Sequence, residues 1–288
     1  MLSPKLRDII ACPFCKGNIK TFPDKIRCDD CNKEFKIING KVPCFLDNES
    51  SSRNAFDAGL VSDGFYSQGL LNKLMKYGSK IITSEFRINK KIYDNVISNL
   101  DKKNIAVEIG SGKRRISPQF ITLDIFPFDS VDIVCDAHSL PLKEKSVDFI
   151  LLDAVLEHVK KPWKVADECC RALKSGGKIL CIVPFMHHFH AYPQDYFRFT
   201  TSGIKSLFEE KLDVTEIAVY GGPTVALISA FSEYATLFAF SKNNFINAFV
   251  RAFALTLTFP LKYLDYLLVK NKLATKLCST ILLVAQKK

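Results

Sequence analysis

The sequence predicts an α/β chain built on a largely parallel, doubly wound sheet, and two observations lead there. The stretch Asn104 to Gly112 is a short apolar run, Ile105 to Ile109, that stops on two glycines one residue apart. A buried parallel strand ending in a tight turn reads this way. Six further strand-like runs follow at α/β spacing: Phe120 to Asp124, Val131 to Val134, Val147 to Asp153, Lys178 to Val183, Asp213 to Val219 and Ser279 to Ala285. The second run ends in an acid, the position that commonly binds ribose hydroxyls in such sheets. Glu108 stands out in its apolar strand, because a buried carboxylate needs a partner. A nucleotide-like ligand carrying amine and hydroxyl groups would supply one.

The order of motifs adds a resemblance. Val107-Glu108-Ile109-Gly110-Ser111-Gly112, Asp124, Asp136-Ala137, Leu156-Glu157-His158 and Leu173-Lys174-Ser175-Gly176-Gly177 resemble the class I S-adenosylmethionine-dependent methyltransferases, from about residue 85 onward. Arg114 departs from the family's third glycine. The resemblance implies a seven-stranded Rossmann-like sheet over 104–288, with the last strand antiparallel between strands five and six. It also implies cofactor approach at Gly110 and Gly112, ribose at Asp124 and adenine at Asp136 and Ala137. Glu108, Ser111 and Asp153 are counted with that cofactor site, and His158 is read as a structural hydrogen-bonding residue.

Ahead of this unit, residues 1–46 read as a separate module. Cys12-Pro-Phe-Cys15 and Cys28-Asp-Asp-Cys31 are two C-x-x-C knuckles, a spacing that suits four thiolates around a structural zinc ion. With Gly17, Phe35 and Gly40-Lys41-Val42-Pro43 the segment resembles the Trm112-like zinc ribbon found fused to methyltransferases. Residues 47–103 are expected to be a polar linker, 47–54, followed by helices carrying Leu70, Leu71, Leu74, Met75, Ile88, Ile92, Val96 and Leu100.

Composition bounds the setting. Hydrophobic residues are 48% and the net charge is +10, which suits a large core and an anionic partner. The lysines are scattered, and the longest basic run is Lys113-Arg114-Arg115. There are ten cysteines but no apolar core of signal-peptide length between Met1 and Ala11, so a reducing cytoplasm is expected.

After the fifth strand, residues 184–200 hold three histidines, an acid, an arginine and several aromatics, at the carboxyl edge where ligands bind in open sheets. His190, Asp195 and Arg198 are the candidate acceptor-facing residues, with His190 as general base and Arg198 offering a bidentate contact to an anionic acceptor; the alternative is that Asp195 and Arg198 pair with each other and brace the loop. The H-H-x-H spacing matches no recognised metal pattern with its own carboxylate. With Pro193 and Phe199-Thr200, the segment resembles a subgroup associated with bacterial cell-surface glycan synthesis, Phe197 standing where that subgroup carries Trp.

The expected reaction is therefore methylation of a sugar, glycan or glycolipid hydroxyl. An RNA methyltransferase and a non-catalytic cofactor-binding subunit are the alternatives. Strand four leads into Leu152-Asp153-Ala154-Val155, not the N-P-P-Y type used on base amines, and no aromatic-basic interleaving suits stacked bases. The apolar insertion at 224–270, with Lys242, Arg251, Lys262, Lys270 and Lys272 around it, is expected either to lie on an anionic membrane face or to close as a helical lid. Neither of its runs suits a spanning helix.

Overall fold

The computed structural model describes residues 4–46, 86–190, 194–239 and 244–288. The linker at 47–54, the helical stripe of Leu70, Leu71, Leu74 and Met75, and Lys242 lie outside the described residues. Helix α1 (Pro4–Ile9) precedes four short antiparallel strands, β1 (Ile19–Thr21), β2 (Lys25–Cys28), β3 (Glu34–Ile38) and β4 (Val42–Cys44). Helix α2 (Lys90–Ser98) leads to β5 (Ala106–Ile109), β6 (Phe120–Asp124), β7 (Ile133–Val134), β8 (Val147–Asp153), α3 (Pro162–Ala172) and β9 (Leu173–Pro184). Then come α4 (Thr201–Ser206), β10 (Leu212–Gly221), α5 (Pro223–Leu237), α6 (Asn244–Thr258), α7 (Asp265–Leu268) and β11 (Thr280–Lys287).

One sheet runs through all of this in the order β1-β2-β3-β4-β7-β6-β5-β8-β9-β11-β10. It has eleven strands where seven were expected. The reason is backbone pairing at an edge: β4 lies parallel to β7 at Cys44 and Val134, and the Phe45 N–H donates to the Val134 carbonyl at 2.8 Å. The N-terminal module thus continues the sheet. β11 runs antiparallel to both β9 and β10. The motif Leu173 to Gly177 falls inside β9, where pairing with β8 jumps from Leu173 to Lys178 across positive-φ Gly176.

Alternation along the strands fills both faces. Val107, Ile150, Leu152, Ile179 and Cys181 point to one side, with α3 packed on them through Val165, Ala166 and Cys169. Ala106, Phe149, Leu151, Leu180 and Ile182 point to the other, against Tyr93 of α2. Phe149 to Leu152 have no exposed surface, as expected of a strand covered on both faces. Truncating one such leucine costs about 2–5 kcal/mol. Ile10, Ile26, Phe35 and Phe45 of the N-terminal module belong to the first of these clusters.

The module is also stitched to the loop after β7. The Ala11 N–H donates to Pro141 O at 3.1 Å, and the Lys143 N–H donates to Ile9 O at 2.7 Å. Ser139 Oγ donates to Pro13 O at 2.6 Å, and Lys16 reaches the half-buried Glu168 carboxylate at 2.6 Å. This loop begins at Asp136.

Candidate active site

The carboxyl ends of β5, β6, β8 and β9 converge on one rim of the sheet. The turn leaving β5 is held by the Gly110 N–H on Leu123 O at 2.7 Å and the Gly112 N–H on Asp124 Oδ2 at 2.8 Å. Both glycines have positive φ, +71° and +61°, a region that side chains disfavour. Their surroundings differ. A Cβ on Gly110 would sit 2.5 Å from Val155 Cγ2, so this glycine is required by the fold, whereas a Cβ on Gly112 would meet nothing within 4 Å. Of the two glycines expected to let a ligand approach, Gly112 is the one whose Cβ side is open.

Two buried acceptors at this turn lack a hydrogen-bond partner among the described residues: Glu108 Oε2 and Ser111 Oγ. Glu108 is 3% exposed, and burial pushes its pKa up to about 7 against the bond from the Ile116 backbone. An orphaned carboxylate oxygen beside an open glycine fits a ligand that brings an amine or hydroxyl. Asp124 closes β6 and accepts from Gly112 and from the Phe126 N–H at 2.9 Å, while burial raises its pKa. Asp136 accepts from the His138 N–H at 2.9 Å and lies 2.6 Å from its Nδ1. Burial raises the Asp136 pKa, but these bonds outweigh it and leave the group below its usual range. Ala137 opens the short 3-10 turn that follows, and Asp153, at the end of β8, has Arg114 at 3.5 Å.

The loop after β9 gathers the second group. Asp195, 1% exposed in its side chain, accepts from both terminal nitrogens of Arg198 at 2.5 and 2.6 Å, and from the His190 N–H at 2.8 Å. Arg198 holds the Asp195 pKa far below the usual carboxylate range. Its remaining N–H groups donate to the His187, His188 and Phe197 carbonyls at 2.9, 2.7 and 2.8 Å. Arg198 is therefore a brace. The expected bidentate contact with an acceptor is not available, because all the directions of its fork are used within the loop.

His190 is left facing outward and across. Its Nε2 lies 3.7 Å from Glu157 Oε1, and its Nδ1–H donates to His188 O at 3.2 Å. Glu157, with no exposed side-chain surface, also has His158 Nε2 at 3.8 Å. The Glu157 carboxylate raises the His190 pKa against the effect of burial. His158 Nδ1 lies 2.6 Å from Gln194 O, so the hydrogen-bonding part expected of it is present. Glu157 went unassigned in the sequence, where its signal was an acid beside a histidine directly after an apolar strand. His188 Nδ1 meets Ser229 Oγ at 2.5 Å, which ties the loop to α5. A cavity of about 500 Å³ opens at the opposite, amino edge beside Asn104, Asp148 and Gly177, away from all of these groups.

In the N-terminal module Cys12, Cys15, Cys28 and Cys31 bring their Sγ atoms within 4.8 Å of one another. The Cys12–Cys31 and Cys15–Cys28 pairs are 3.6 and 3.4 Å apart. A tetrahedron with Zn–S bonds of about 2.3 Å has edges of about 3.8 Å, so the four thiols fit a zinc ion.

Residues 99–181 match the methyltransferase domain family. Among curated proteins, the uncharacterized protein MJ1123 of Methanocaldococcus jannaschii is 33% identical over 109 residues, 33% of this chain. The match spans about half, 53%, of that protein's length. Among solved structures, a complex of the Haloferax volcanii Trm112 methyltransferase activator with a methyltransferase is 16% identical, covering 68% of this chain and 88% of that one, with a TM-score of 0.43. A Haemonchus contortus phosphoethanolamine N-methyltransferase is also 16% identical, over 69% of this chain and 52% of that one, with a TM-score of 0.42. A UPF0434 protein of Azotobacter vinelandii is 38% identical over 55 residues, 88% of that protein and 18% of this chain. The chain thus belongs to the UPF0434 family over that stretch, and over residues 99–181 it matches the methyltransferase domain family.

Proposed function

We propose that the chain is an S-adenosylmethionine-dependent methyltransferase acting on a hydroxyl of a sugar, glycan or glycolipid precursor. The observation that carries this reading is the imidazole of His190, held by its loop beside Glu157 on the rim that also bears the Gly112 turn. The cofactor supplies a methyl group on a sulfonium, displaced in line by the acceptor oxygen. The chain's part is to position the acceptor and take its proton, a task for His190, whose Nε2 lies beside Glu157 at the rim. Asp195 and Arg198 fix the loop that presents it. Glu108, Ser111 and Gly112 take the methionine end of the cofactor, with Asp153 beside them. Asp124 takes the ribose, and Asp136 with Ala137 the adenine. In the same reading, residues 1–46 are a zinc ribbon, 47–103 join it to the catalytic unit, and 104–288 form that unit with 224–270 inserted.

Calorimetry with S-adenosylmethionine tests the cofactor site. Gly112→Ala, whose methyl enters the open space, is expected to weaken binding at least tenfold. Its positive φ costs about 1–2 kcal/mol, so the melting temperature falls only modestly. Gly110→Ala should instead lose stability strongly through its clash with Val155. Equal cofactor affinity in wild type and Gly112→Ala would mean the site is misplaced.

The helices before β11 support peripheral attachment to an anionic membrane. Leu227, Phe231 and Tyr234 on α5 and Phe249, Phe253 and Leu257 on α6 are each at least 42% exposed, at helical spacing. Among the described residues no helix is long and apolar enough to cross a membrane. Of the basic residues expected around them, Lys262 is buried and Arg251 pairs with Glu233 at 2.8 Å. Lys270, Lys272 and also Lys276 are exposed, and three lysines near an anionic surface contribute about 3 kcal/mol. The chain should therefore sediment with phosphatidylserine vesicles at low salt and release at high salt. No sedimentation at low salt would leave these helices as a lid or a protein contact.

A further inference from the structure

We infer that Glu157, His158 and His190 form a binding site for a divalent first-row transition-metal ion on the acceptor side of the rim. Its catalytic role rests on the methyl-transfer reading above; the site itself rests on geometry. Glu157 and His158 sit on the 3-10 turn after β8, and His190 arrives from the loop after β9. Their ligand atoms all lie within 4.8 Å of one another.

The carboxylate is the deciding group. Glu157 is fully buried, and neither of its oxygens takes a hydrogen bond among the described residues. The nearest side-chain donors are the two imidazole Nε2 atoms at 3.7 and 3.8 Å, beyond hydrogen-bond length. A buried carboxylate without hydrogen bonds is costly. A cation bound at about 2.0–2.2 Å would hold its ligand atoms roughly 3–3.5 Å apart, so Glu157 closes on each imidazole by less than about 1 Å and the two imidazoles close on each other by at most about 1.8 Å.

The outer groups already set the rings for this. His158 Nδ1–H donates to Gln194 O at 2.6 Å, and His190 Nδ1–H to His188 O at 3.2 Å. Each bond puts the proton on Nδ1 and leaves the lone pair on Nε2, the atom 3.7 or 3.8 Å from Glu157, the arrangement that orients metal-binding histidines. Two imidazoles and one carboxylate suit manganese, iron, cobalt or zinc better than magnesium or calcium, and leave positions open. An acceptor hydroxyl in an open position would lose its proton to solvent water. The electron pair left on its oxygen forms the new O–CH₃ bond as the S–CH₃ bond breaks, and that bond's pair stays on sulfur. His190 Nε2 cannot be ligand and base together, so the loaded site hands deprotonation to the cation and the metal-free site keeps His190 as base.

The test is titration of the zinc-loaded full chain with Mn²⁺ and Co²⁺, followed by calorimetry and, for Mn²⁺, by loss of the free-ion EPR signal. One equivalent should bind. Glu157→Gln and His158→Ala should each weaken it at least tenfold, the range found for disturbed metal sites. His158, 15% exposed in its side chain, is the variant expected to stay folded if Glu157→Gln does not. S-adenosylmethionine affinity, measured on the same samples, should be unchanged. If neither ion binds, or His158→Ala binds as tightly as wild type, the site is overturned while the methyl-transfer reading stands. Failure of the wild type to bind S-adenosylmethionine would instead remove that reading and leave the cation result unaffected.

Discussion

Cys28→Ser is expected to reduce the zinc content of the purified chain from one ion to none and to unfold residues 4–46. Four thiols already within tetrahedral reach motivate the expectation. The segment is too small to support itself by apolar burial, and structural zinc contributes about 10–16 kcal/mol in zinc-finger peptides. Some of that is replaced here by the join to the larger unit, since Ile10, Ile26, Phe35 and Phe45 share its core and β4 pairs with β7. The loss should therefore reach the loop 136–143, which the ribbon covers through Ala11, Pro13 and Lys16. Elemental analysis and hydrogen exchange check both parts. Strands β1 to β4 should exchange freely, the 136–143 loop should exchange faster, and β5, β8 and β9 should stay protected. No stoichiometric metal in freshly purified wild-type protein would end the zinc assignment.

What could be read from the sequence was whatever a strand's own side chains declare. β6 has the bounds its apolar run predicts, and β8 and β5 differ from theirs by no more than a residue, because buried parallel strands are continuous apolar segments bounded by turns. The join of β4 to β7 left no trace in residue types, since it is made by backbone groups at a sheet edge. The two glycines look alike in sequence, and only the position of Val155 separates the one that serves packing from the one that faces open space. The sequence leaves Arg198 open between an acceptor contact and a pair with Asp195, and the three carbonyls and the carboxylate that surround its fork are what decide for the brace. The pairing of Glu157 with His190 links residues from two loops, and no spacing rule covers it. Hydropathy marked 224–270 as apolar, but which faces are covered depends on packing.

His190→Ala is expected to lower turnover by about 10²-fold or more, the range for lost acid–base catalysis, with cofactor affinity and melting temperature nearly unchanged. The variant is clean because of how the loop is built. The bond that holds residue 190 in place comes from its backbone N–H to Asp195, and alanine keeps it. The lost ring contacts are a 3.2 Å bond to His188 O, approaches of 3.4 to 3.7 Å to Arg198, Asp195 and Glu157, and edge contacts with His158 and His187, none of which replaces the backbone bond or the Asp195–Arg198 pair. Asp195→Ala would not be clean, since it leaves the Arg198 guanidinium without its bidentate partner in a half-buried loop, and removing one member of such a pair costs several kcal/mol. Arg198→Lys cannot restore the fork, because a single ammonium does not span the carboxylate and three carbonyls at once. Those two variants should therefore lose stability and activity together, whereas His190→Ala should separate them. The readout is transfer of labelled methyl from S-adenosylmethionine into the lipid and glycan fractions of a cell extract, alongside thermal melting of each variant. If His190→Ala loses activity only in proportion to its melting temperature, the loop is scaffold, and the group that takes the acceptor's proton must be sought on another part of the rim.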